Sequence, residues 1–207
     1  VFNPFQENTY LVWNENGAGA IIDPRCLNDR EERQLISAIE DKNLKPVLLL
    51  NTHCHIDHVF GNAFVHEKYG LRPHIHSMEQ PVLEAVPQVA QMYGLPYRPS
   101  PDPVFYDDEI KLGDEIFEVL FVPGHSPGHV ALHNSRNNVL LSGDVLFKQS
   151  IGRTDLPGGD MDTLMNSIKS KLISLPDETV VYSGHMGETT IGDEKINNPF
   201  LKGIYQG

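Results

Sequence analysis

Residues 52–58 are the part of the chain richest in potential metal ligands, and they directly follow an apolar run. Four such ligands fall within six residues: His53, His55, Asp57 and His58. Imidazoles and a carboxylate this close together cannot be buried like ordinary core residues, because polar groups removed from water need a compensating partner. Nitrogen and carboxylate-oxygen donors, without a set of thiolates, suit zinc, iron or manganese. The stretch therefore predicts a metal site.

Three later segments each offer one further ligand, placed after an apolar, strand-like run and a glycine. These ligands are His125 after Gly124, Asp144 after Gly143 and His185 after Gly184. A glycine at such a point allows the backbone to turn sharply, so that the next side chain points across the end of the sheet. Together with the first stretch, four strand ends supply seven donors, which are five histidines and two aspartates.

Seven donors are more than one catalytic zinc uses, since such a site holds three or four protein ligands. We therefore expect two ions that share one carboxylate, at the separation of roughly 3.5–4 Å that is usual in metal-assisted hydrolysis. Our assignment places His53, His55 and His125 on the first ion, Asp57, His58 and His185 on the second, and Asp144 on both. In this arrangement the shared carboxylate gives one oxygen to each ion, and each ion keeps a position for a shared water.

The order of these ligands resembles that of the metallo-β-lactamase-fold hydrolases, in which an HxHxDH run is followed by Gly-His, Gly-Asp and Gly-His. Further motifs, at residues 8–12, 123–129, 142–147 and 152–159, are similar to the glyoxalase II group, the hydroxyacylglutathione hydrolases. The resemblance implies an α+β fold, the four-layer αββα sandwich. It also implies one domain over residues 1–207, without the C-terminal helical domain with which long glyoxalase II enzymes bind glutathione. We expect two divalent ions per chain, zinc first, with iron or manganese as alternatives.

The expected reaction is hydrolysis of a small-molecule thioester such as S-lactoylglutathione. Two cations acidify a shared water, and Asp57 is expected to hold the proton of the resulting hydroxide and to orient its attack. A thioester needs no separate general acid, because its thiol, with a pKa of roughly 8.5, leaves as the anion. Arg153 is the candidate for binding an acidic substrate. The alternative for Arg153 is an ion pair with Asp155 or Asp160.

Other activities stay open at this point. Persulfide dioxygenases resemble the chain in the HxHxDH run and in a Gly-Arg-Thr-Asp segment, but they use one iron, which His53, His125 and Asp144 would hold here. The chain could also be a hydrolase of another small ester or lactone, or a member that binds metal without catalysis. The last alternative is disfavoured because all seven ligand positions carry a ligand.

The composition is that of a globular protein and does not point to a polyanionic or membrane partner. The 207 residues are 40% apolar and carry a net charge of −12, from 16 basic and 28 acidic side chains. Nucleic-acid binding depends on phosphate neutralisation by Lys and Arg, and because no basic stripe is visible we expect no such partner. No apolar run approaches the ~20 residues of a membrane span. Residues 1–4 lack a secretion-signal pattern, and two cysteines are too few for a disulfide framework. We therefore expect a cytoplasmic protein without membrane contact, and the sequence leaves its oligomeric state open.

The apolar pattern predicts short strands that alternate with helices. Strands are expected at Thr9–Trp13, Ala18–Asp23, Val47–Asn51, His74–His76, Glu115–Val122, Val130–Asn134, Val139–Ser142 and Val180–Tyr182. Helices are expected at Asp29–Lys42, Asn62–Tyr69, Glu79–Tyr93 and Met161–Leu175. Pro87 should break or kink the third helix, and residues 94–103 should form an irregular surface loop. Cys54 is expected to be a buried thiol that faces away from the metals, and the resemblance implies that His129 supports the turn after His125 by hydrogen bonding.

Overall fold

The computed structural model describes residues 7–202. The chain divides into two compact units, residues 1–116 and 117–207. The expectation of one domain over residues 1–207 stays a prediction, and residues 1–6 and 203–207 of that range lie outside the described residues. Within the described range, no helix combines the length and apolar character needed to cross a membrane.

The first unit holds a five-stranded sheet with helices between its strands. Its elements in chain order are β1 (Tyr10–Trp13), β2 (Ala18–Ile22), α1 (Asp29–Asp41), β3 (Lys45–Leu50), α2 (Ile56–Val59), α3 (Asn62–Tyr69), β4 (Pro73–Ile75), a 3₁₀ turn (Ser77–Glu79), α4 (Gln80–Tyr93), β5 (Val104–Phe105) and β6 (Glu109–Leu112). The strand order is β1-β2-β3-β4-β5. Strand β1 pairs antiparallel with β2, and the pairs from β2 to β5 are parallel. Because parallel strands end at the same edge, the loop that follows β3 starts at the edge where such sheets bind ligands.

Helix α1 shows how local sequence and packing combine in this unit. Asn28 caps the helix, since its side-chain oxygen accepts hydrogen bonds from the backbone N–H groups of Arg30 (3.1 Å) and Glu31 (3.2 Å). This satisfies two of the donors that a helix start leaves without a partner. Leu35 and Ile39 lie one turn apart on the buried face and belong to the apolar cluster that includes strand residues of β2 and β3.

The second unit is built around a mixed sheet. Its elements are β7 (Glu115–Phe121, which begins at the boundary), β8 (Val130–Asn134), β9 (Val139–Gly143), β10 (Leu146–Phe147), β11 (Ser150–Ile151), α5 (Met161–Ser167) continued by a π-helical turn (Ile168–Leu172), β12 (Val180–Ser183), β13 (Thr189–Thr190) and α6 (Ile191–Asn197). The sheet contains the order β13-β12-β9-β8-β7, and β10 and β11 form a separate ribbon. Strand β8 is antiparallel to β7 and β9, and β12 is parallel to β9. The C-terminal ends of β7, β9 and β12 therefore meet at one edge.

All eight expected strands and all four expected helices are present, with bounds that differ by up to three residues. The strands that were not expected, β5, β6, β10, β11 and β13, have two to four residues each, too few to establish an alternating pattern. Pro87 does not break α4, which continues from Gln80 to Tyr93. The buried side chains of Leu83, Val86 and Ala90 hold the helix across the proline. Residues 94–103 form an irregular loop, as expected.

Candidate metal centre

The four predicted ligands of the first unit lie where β3 ends and α2 begins. His53 and His58 are fully buried, whereas His55 and Asp57 are partly exposed. The ring centroid of His53 lies 4.7 Å from that of His55 and 3.9 Å from that of His58. The structure thus brings the histidines of the run together at one end of the sheet.

Asp23, at the end of β2, orients the first of these ligands through Thr52. The carboxylate of Asp23 accepts hydrogen bonds from the backbone N–H (2.8 Å) and the hydroxyl (2.7 Å) of Thr52. With its hydrogen given to Asp23, the Thr52 oxygen accepts from Nδ1 of His53 at 3.2 Å. Nε2 of His53 then keeps its lone pair, which is the state needed to bind a metal.

The last ligand of the run, His58, lies in a buried polar cluster together with Glu7, Asp23 and Arg25. Arg25 forms an ion pair with Glu7, and both side chains are fully buried. Nε2 of His58 lies 2.6 Å from Oε1 of Glu7, and Nδ1 lies 3.1 Å from Oδ2 of Asp23 and 2.9 Å from Nη2 of Arg25. Burial raises the pKa of the Glu7 carboxyl to about 7, although His58 and Arg25 act in the opposite direction. A cation beside Glu7 would favour its charged form.

Sequence reasoning missed the three partners of His58 in this cluster. Arg25 lies 33 positions before His58 and Glu7 lies 51 positions before it, and neither belongs to a ligand spacing. The one available signal was a charged pair, Asp23 and Arg25, at the end of the apolar strand β2. Charged residues are common in the loops that follow strands, so the pattern alone did not distinguish Asp23 and Arg25 from ordinary loop residues.

The three predicted ligands of the second unit follow β7, β9 and β12. His125 is 3% exposed and its Nδ1–H donates to the backbone carbonyl of Arg153 at 2.7 Å, which leaves Nε2 as the acceptor. Oδ2 of Asp144 lies 3.7 Å from Nε2 of His125 and 3.3 Å from Nε2 of His185. Two ligand atoms that share an ion, with bonds near 2.1 Å, lie roughly 3.0–3.7 Å apart. Both histidines therefore face the same oxygen of Asp144, whereas we had expected the carboxylate to use one oxygen for each ion.

Glycine supports the ligand loops at two of the three expected positions. Gly124 has φ 125° and Gly143 has φ 50°, both in the region that side chains with a Cβ rarely adopt. A Cβ on Gly124 would also collide with the backbone of Leu164 near the start of α5. Among the described residues, Gly184 is not one of the glycines with positive φ. Backbone conformation therefore does not explain why a glycine occupies this position.

Cys54 is the buried thiol that we expect, whereas His129 supports a different loop from the expected turn after His125. Nε2 of His129 accepts a hydrogen bond from the backbone N–H of Asp144 at 3.0 Å, so this histidine holds the loop that carries the shared carboxylate. Cys54 is fully buried in an apolar cluster with Ile56 and Val59. Burial raises the pKa of its thiol well above the usual value, which makes it a core residue and not a donor.

Comparison with known proteins identifies the family. The model of the metallo-β-lactamase superfamily matches residues 2–185. The chain belongs to the metallo-β-lactamase superfamily. A curated relative within this superfamily, the hydroxyacylglutathione hydrolase GloC of Haemophilus influenzae, is 40% identical over 202 residues, which cover 95% of this chain and 93% of the relative. This match confirms the resemblance to hydroxyacylglutathione hydrolases.

Solved structures show the same superfamily fold. The crystal structure of TTHA1623 in a di-iron-bound form is 40% identical and has a TM-score of 0.86, covering 97% of this chain and 98% of that one. The structure of the BLEG-1 B3 metallo-β-lactamase is 37% identical with a TM-score of 0.86, covering 97% of each chain. The expected α+β class and metallo-β-lactamase fold are therefore confirmed.

The donors of this metallo-β-lactamase-fold chain fit the metal that the superfamily name implies. In each unit, a buried histidine has its Nδ1 bonded to a protein oxygen, which orients the ring and leaves Nε2 for a metal. Asp144 is 6% exposed, and a buried carboxylate needs a cation or hydrogen-bond donors around it. The donor types and orientations are those of a metal-binding site.

Arg153, the predicted substrate contact, makes an ion pair with Asp155. Its Nε and Nη2 lie 2.7 and 2.6 Å from the two carboxylate oxygens. Both side chains are more than half exposed, and the hydrogen bonds from Arg153 lower the pKa of Asp155 to about 2. The structure thus shows the ion pair that was the alternative to substrate binding. A role in binding substrate stays a prediction, because an exposed pair of this kind exchanges readily with other partners.

Proposed function

We propose that this superfamily member is a hydrolase that uses two divalent metal ions to cleave small-molecule thioesters, of which S-lactoylglutathione is the leading candidate. The observation that carries the proposal is the complete set of seven ligand positions in a chain 40% identical, over 95% of its length, to a hydroxyacylglutathione hydrolase. The geometry of each unit supports it, since the rings of buried His53 and His58 lie 3.9 Å apart and Nε2 of buried His125 lies 3.7 Å from Asp144. The acidic net charge of −12 supports a small-molecule substrate over a nucleic acid.

The proposed ligand sets follow the order of the motif. The first ion takes His53, His55 and His125, the second takes Asp57, His58 and His185, and Asp144 bridges through Oδ2. Zinc is the proposed metal, and iron is the alternative because the similar TTHA1623 was crystallised in a di-iron-bound form. When bound, the ions would polarise the substrate carbonyl and provide hydroxide from water near neutral pH.

The residues of the chain have roles beyond ligation. Asp57, partly exposed at the start of α2, is proposed to hold the proton of the attacking water and to orient its lone pair toward the carbonyl. Thr52 and the carbonyl of Arg153 keep the rings of His53 and His125 in the tautomer with Nε2 unprotonated. Such outer partners fix ligand orientation before the substrate arrives.

Leaving-group chemistry favours a thioester over an amide. A thiol with a pKa of roughly 8.5 departs as the thiolate near neutral pH, whereas an amide nitrogen must be protonated as its bond to carbon breaks. BLEG-1 is named as a B3 metallo-β-lactamase, so a β-lactam is the informative competing substrate. We expect thioester turnover to exceed β-lactam turnover in this chain.

The proposal is tested by metal analysis and a substrate panel on one preparation of the protein. The panel contains S-lactoylglutathione, a neutral thioester, glutathione persulfide and a chromogenic β-lactam. We expect about two metal ions per chain and release of thiol from a thioester. One iron per chain with oxygen consumption on the persulfide would replace the proposal by a dioxygenase. Two ions with β-lactam hydrolysis alone would change the substrate class.

The His58→Ala variant tests the second ion directly. Loss of this ligand should leave about one ion per chain and reduce kcat/KM by about a thousandfold, which corresponds to roughly 4 kcal/mol of barrier. His66→Ala is the matched control, because His66 is exposed and bonds only locally through Nδ1 to the carbonyl of Leu71. A His58→Ala protein with a single ion and normal turnover would contradict the dinuclear mechanism.

A further inference from the structure

The buried polar cluster contains a carboxylate that the proposed ligand set does not use. Glu7 is fully buried, and its Oε1 lies 2.6 Å from Nε2 of His58. One ligand atom each from Glu7, Asp57 and His58 lies within 4.8 Å of the other two. Together with His185 and Asp144, these donors would give the second ion five protein ligands, a coordination number that zinc reaches when it expands beyond four.

The partners of these donors are those that metal ligands usually have. A ligating histidine normally donates its second ring N–H to a carboxylate, and a ligating carboxylate normally accepts further hydrogen bonds. Nδ1 of His58 lies 2.9 Å from Nη2 of Arg25 and 3.1 Å from Oδ2 of Asp23. The carboxylate of Asp23 can accept the Nδ1 hydrogen once Nε2 is bound to metal. Arg25 donates to Oε1 of Glu7 in a buried ion pair. The same oxygen faces Nε2 of His58, so the carboxylate is held in place beside the ring.

We propose that Glu7 is a further ligand of the second metal ion, an assignment that rests on the dinuclear function proposed above. Binding of a metal would replace the contact between Nε2 of His58 and Oε1 of Glu7, which lie 2.6 Å apart and would separate to admit the ion. Glu7 also offsets the charge of Arg25, whose fully buried guanidinium would otherwise repel a cation beside His58. The competing explanation is that Glu7 acts only as this counter-ion.

The two roles are separated by the variants Glu7→Gln and Glu7→Gln/Arg25→Met. Glutamine keeps the shape of glutamate but loses the charge and most of the metal affinity. If Glu7 is a ligand, both variants bind the second ion more than about 100-fold more weakly than the native chain. Loss of a residue that only supports a ligand costs about 100-fold at most. If Glu7 is only a counter-ion, removal of Arg25 in the double variant restores the affinity of the second ion.

The experiment uses the full chain, stripped of metal by a chelator and titrated with Co²⁺ and, in parallel, with Zn²⁺. Calorimetry counts the ions and gives their affinities, and the visible absorption of Co²⁺ reports the ligands of each site without reference to activity. We expect two binding events in the native chain, loss of the weaker one in both variants, and an altered Co²⁺ spectrum at that site only. Glu31→Gln is the matched control, since Glu31 is buried but bonds the backbone N–H of Leu27.

The outcomes distinguish the inference from the function on which it rests. Two ions of native affinity in Glu7→Gln, or recovery of the second ion in the double variant, would overturn the assignment of Glu7 alone. A single ion in the native chain would overturn the dinuclear function as well. If Glu7→Gln fails to fold because buried Arg25 has lost the charge of Glu7, the double variant gives the answer, because replacing a whole buried ion pair is often tolerated.

Discussion

Asp144 is the residue at which the ligands of the second unit converge. Nε2 of His125 and Nε2 of His185 face the same carboxylate oxygen, at 3.7 and 3.3 Å. If this oxygen bridges two ions, its removal weakens both sites, whereas loss of either histidine weakens one. Asp144→Ala should therefore retain well under one ion per chain after dialysis, and the histidine variants about one. Metal analysis of the variants side by side checks this, and a histidine variant with the lowest metal content would refute the bridge.

Arg153 and Asp155 form the second test at the residue scale. Their exposed ion pair leaves the guanidinium able to exchange Asp155 for a carboxylate of an acidic thioester. Arg153→Ala should raise KM for S-lactoylglutathione about 3- to 10-fold and change kcat less, because it removes binding shared by ground and transition states. The backbone carbonyl that accepts from His125 is unaffected by this change.

Asp155→Asn is the matched variant for that test. It frees Arg153 from its partner, so KM for the acidic thioester should fall, while a neutral thioester should respond to neither change. Steady-state kinetics on both substrates checks the pair of predictions. Equal losses on the two substrates in Arg153→Ala would assign Arg153 a structural role.

At the scale of elements, the ligands depend on how β7, β9 and β12 end. Each strand stops at the same edge of the sheet and passes into a loop that carries one donor. The loop after β7 is the most constrained, since the backbone N–H of Asp160 donates to the carbonyl of Gly124 at 2.8 Å. This hydrogen bond connects the loop to the N-cap of α5, so the position of His125 depends on that contact.

Gly124→Ala should consequently destabilise the fold and displace His125. The residue has φ 125°, and a Cβ there would meet the backbone of Leu164. We expect a loss of about 3 kcal/mol or more in the free energy of unfolding, as for other changes that combine strain with a steric clash. Urea denaturation measures the loss, and metal analysis measures the effect on the first ion.

Gly94→Ala is the control for this prediction. Gly94 also has positive φ, at 64°, but a Cβ there would meet nothing within 4 Å. Its replacement should cost about 1 kcal/mol, the penalty of the left-handed conformation alone. Equal costs for Gly94→Ala and Gly124→Ala would show that the contact with Leu164 is unimportant.

For the whole molecule, the two cysteines report on folding and on metal binding. Cys26 and Cys54 are both buried free thiols, and burial raises the pKa of Cys26 to about 12. At pH 8 the folded protein should therefore react hardly at all with a disulfide reagent, because the thiolate is the reactive form. In denaturant, two thiols per chain should react promptly.

Chelation of the metals should distinguish the two thiols. Cys54 lies between His53 and His55, so metal bound by these residues restrains its loop, whereas Cys26 lies outside the ligand run. A ligand that binds only the folded state also stabilises it, by about 2.7 kcal/mol per site at a hundredfold excess over Kd. Chelator should speed the modification of Cys54 more than that of Cys26, measured in the single Cys→Ser variants. Equal acceleration would indicate global loosening and no special link to the ligand run.

The sequence by itself determined the family, the main elements and the candidate donors. The seven ligand positions form local motifs, and each motif follows an apolar run long enough to predict a strand. Motifs of this kind can be recognised in the sequence alone, because each ligand lies next to the end of the strand that positions it. The buried thiol of Cys54 was recognised for the same reason, since it lies within a ligand motif. His129 also lies within such a motif, but the loop that it bonds, at Asp144, was not predicted.

Only the tertiary structure decided which residues surround those donors. Glu7 and Arg25 reach His58 because β1 and β2 pair beside β3 and bring distant loops to the same end of one sheet. The common oxygen of Asp144, and the pairing of Arg153 with Asp155 instead of Asp160, depend on side-chain directions that spacing does not encode. The five short strands that were not expected, β5, β6, β10, β11 and β13, form by pairing with a neighbour and not from an apolar pattern of their own. A buried charge is placed by the partners that compensate it, and those partners are neighbours only once the chain has folded.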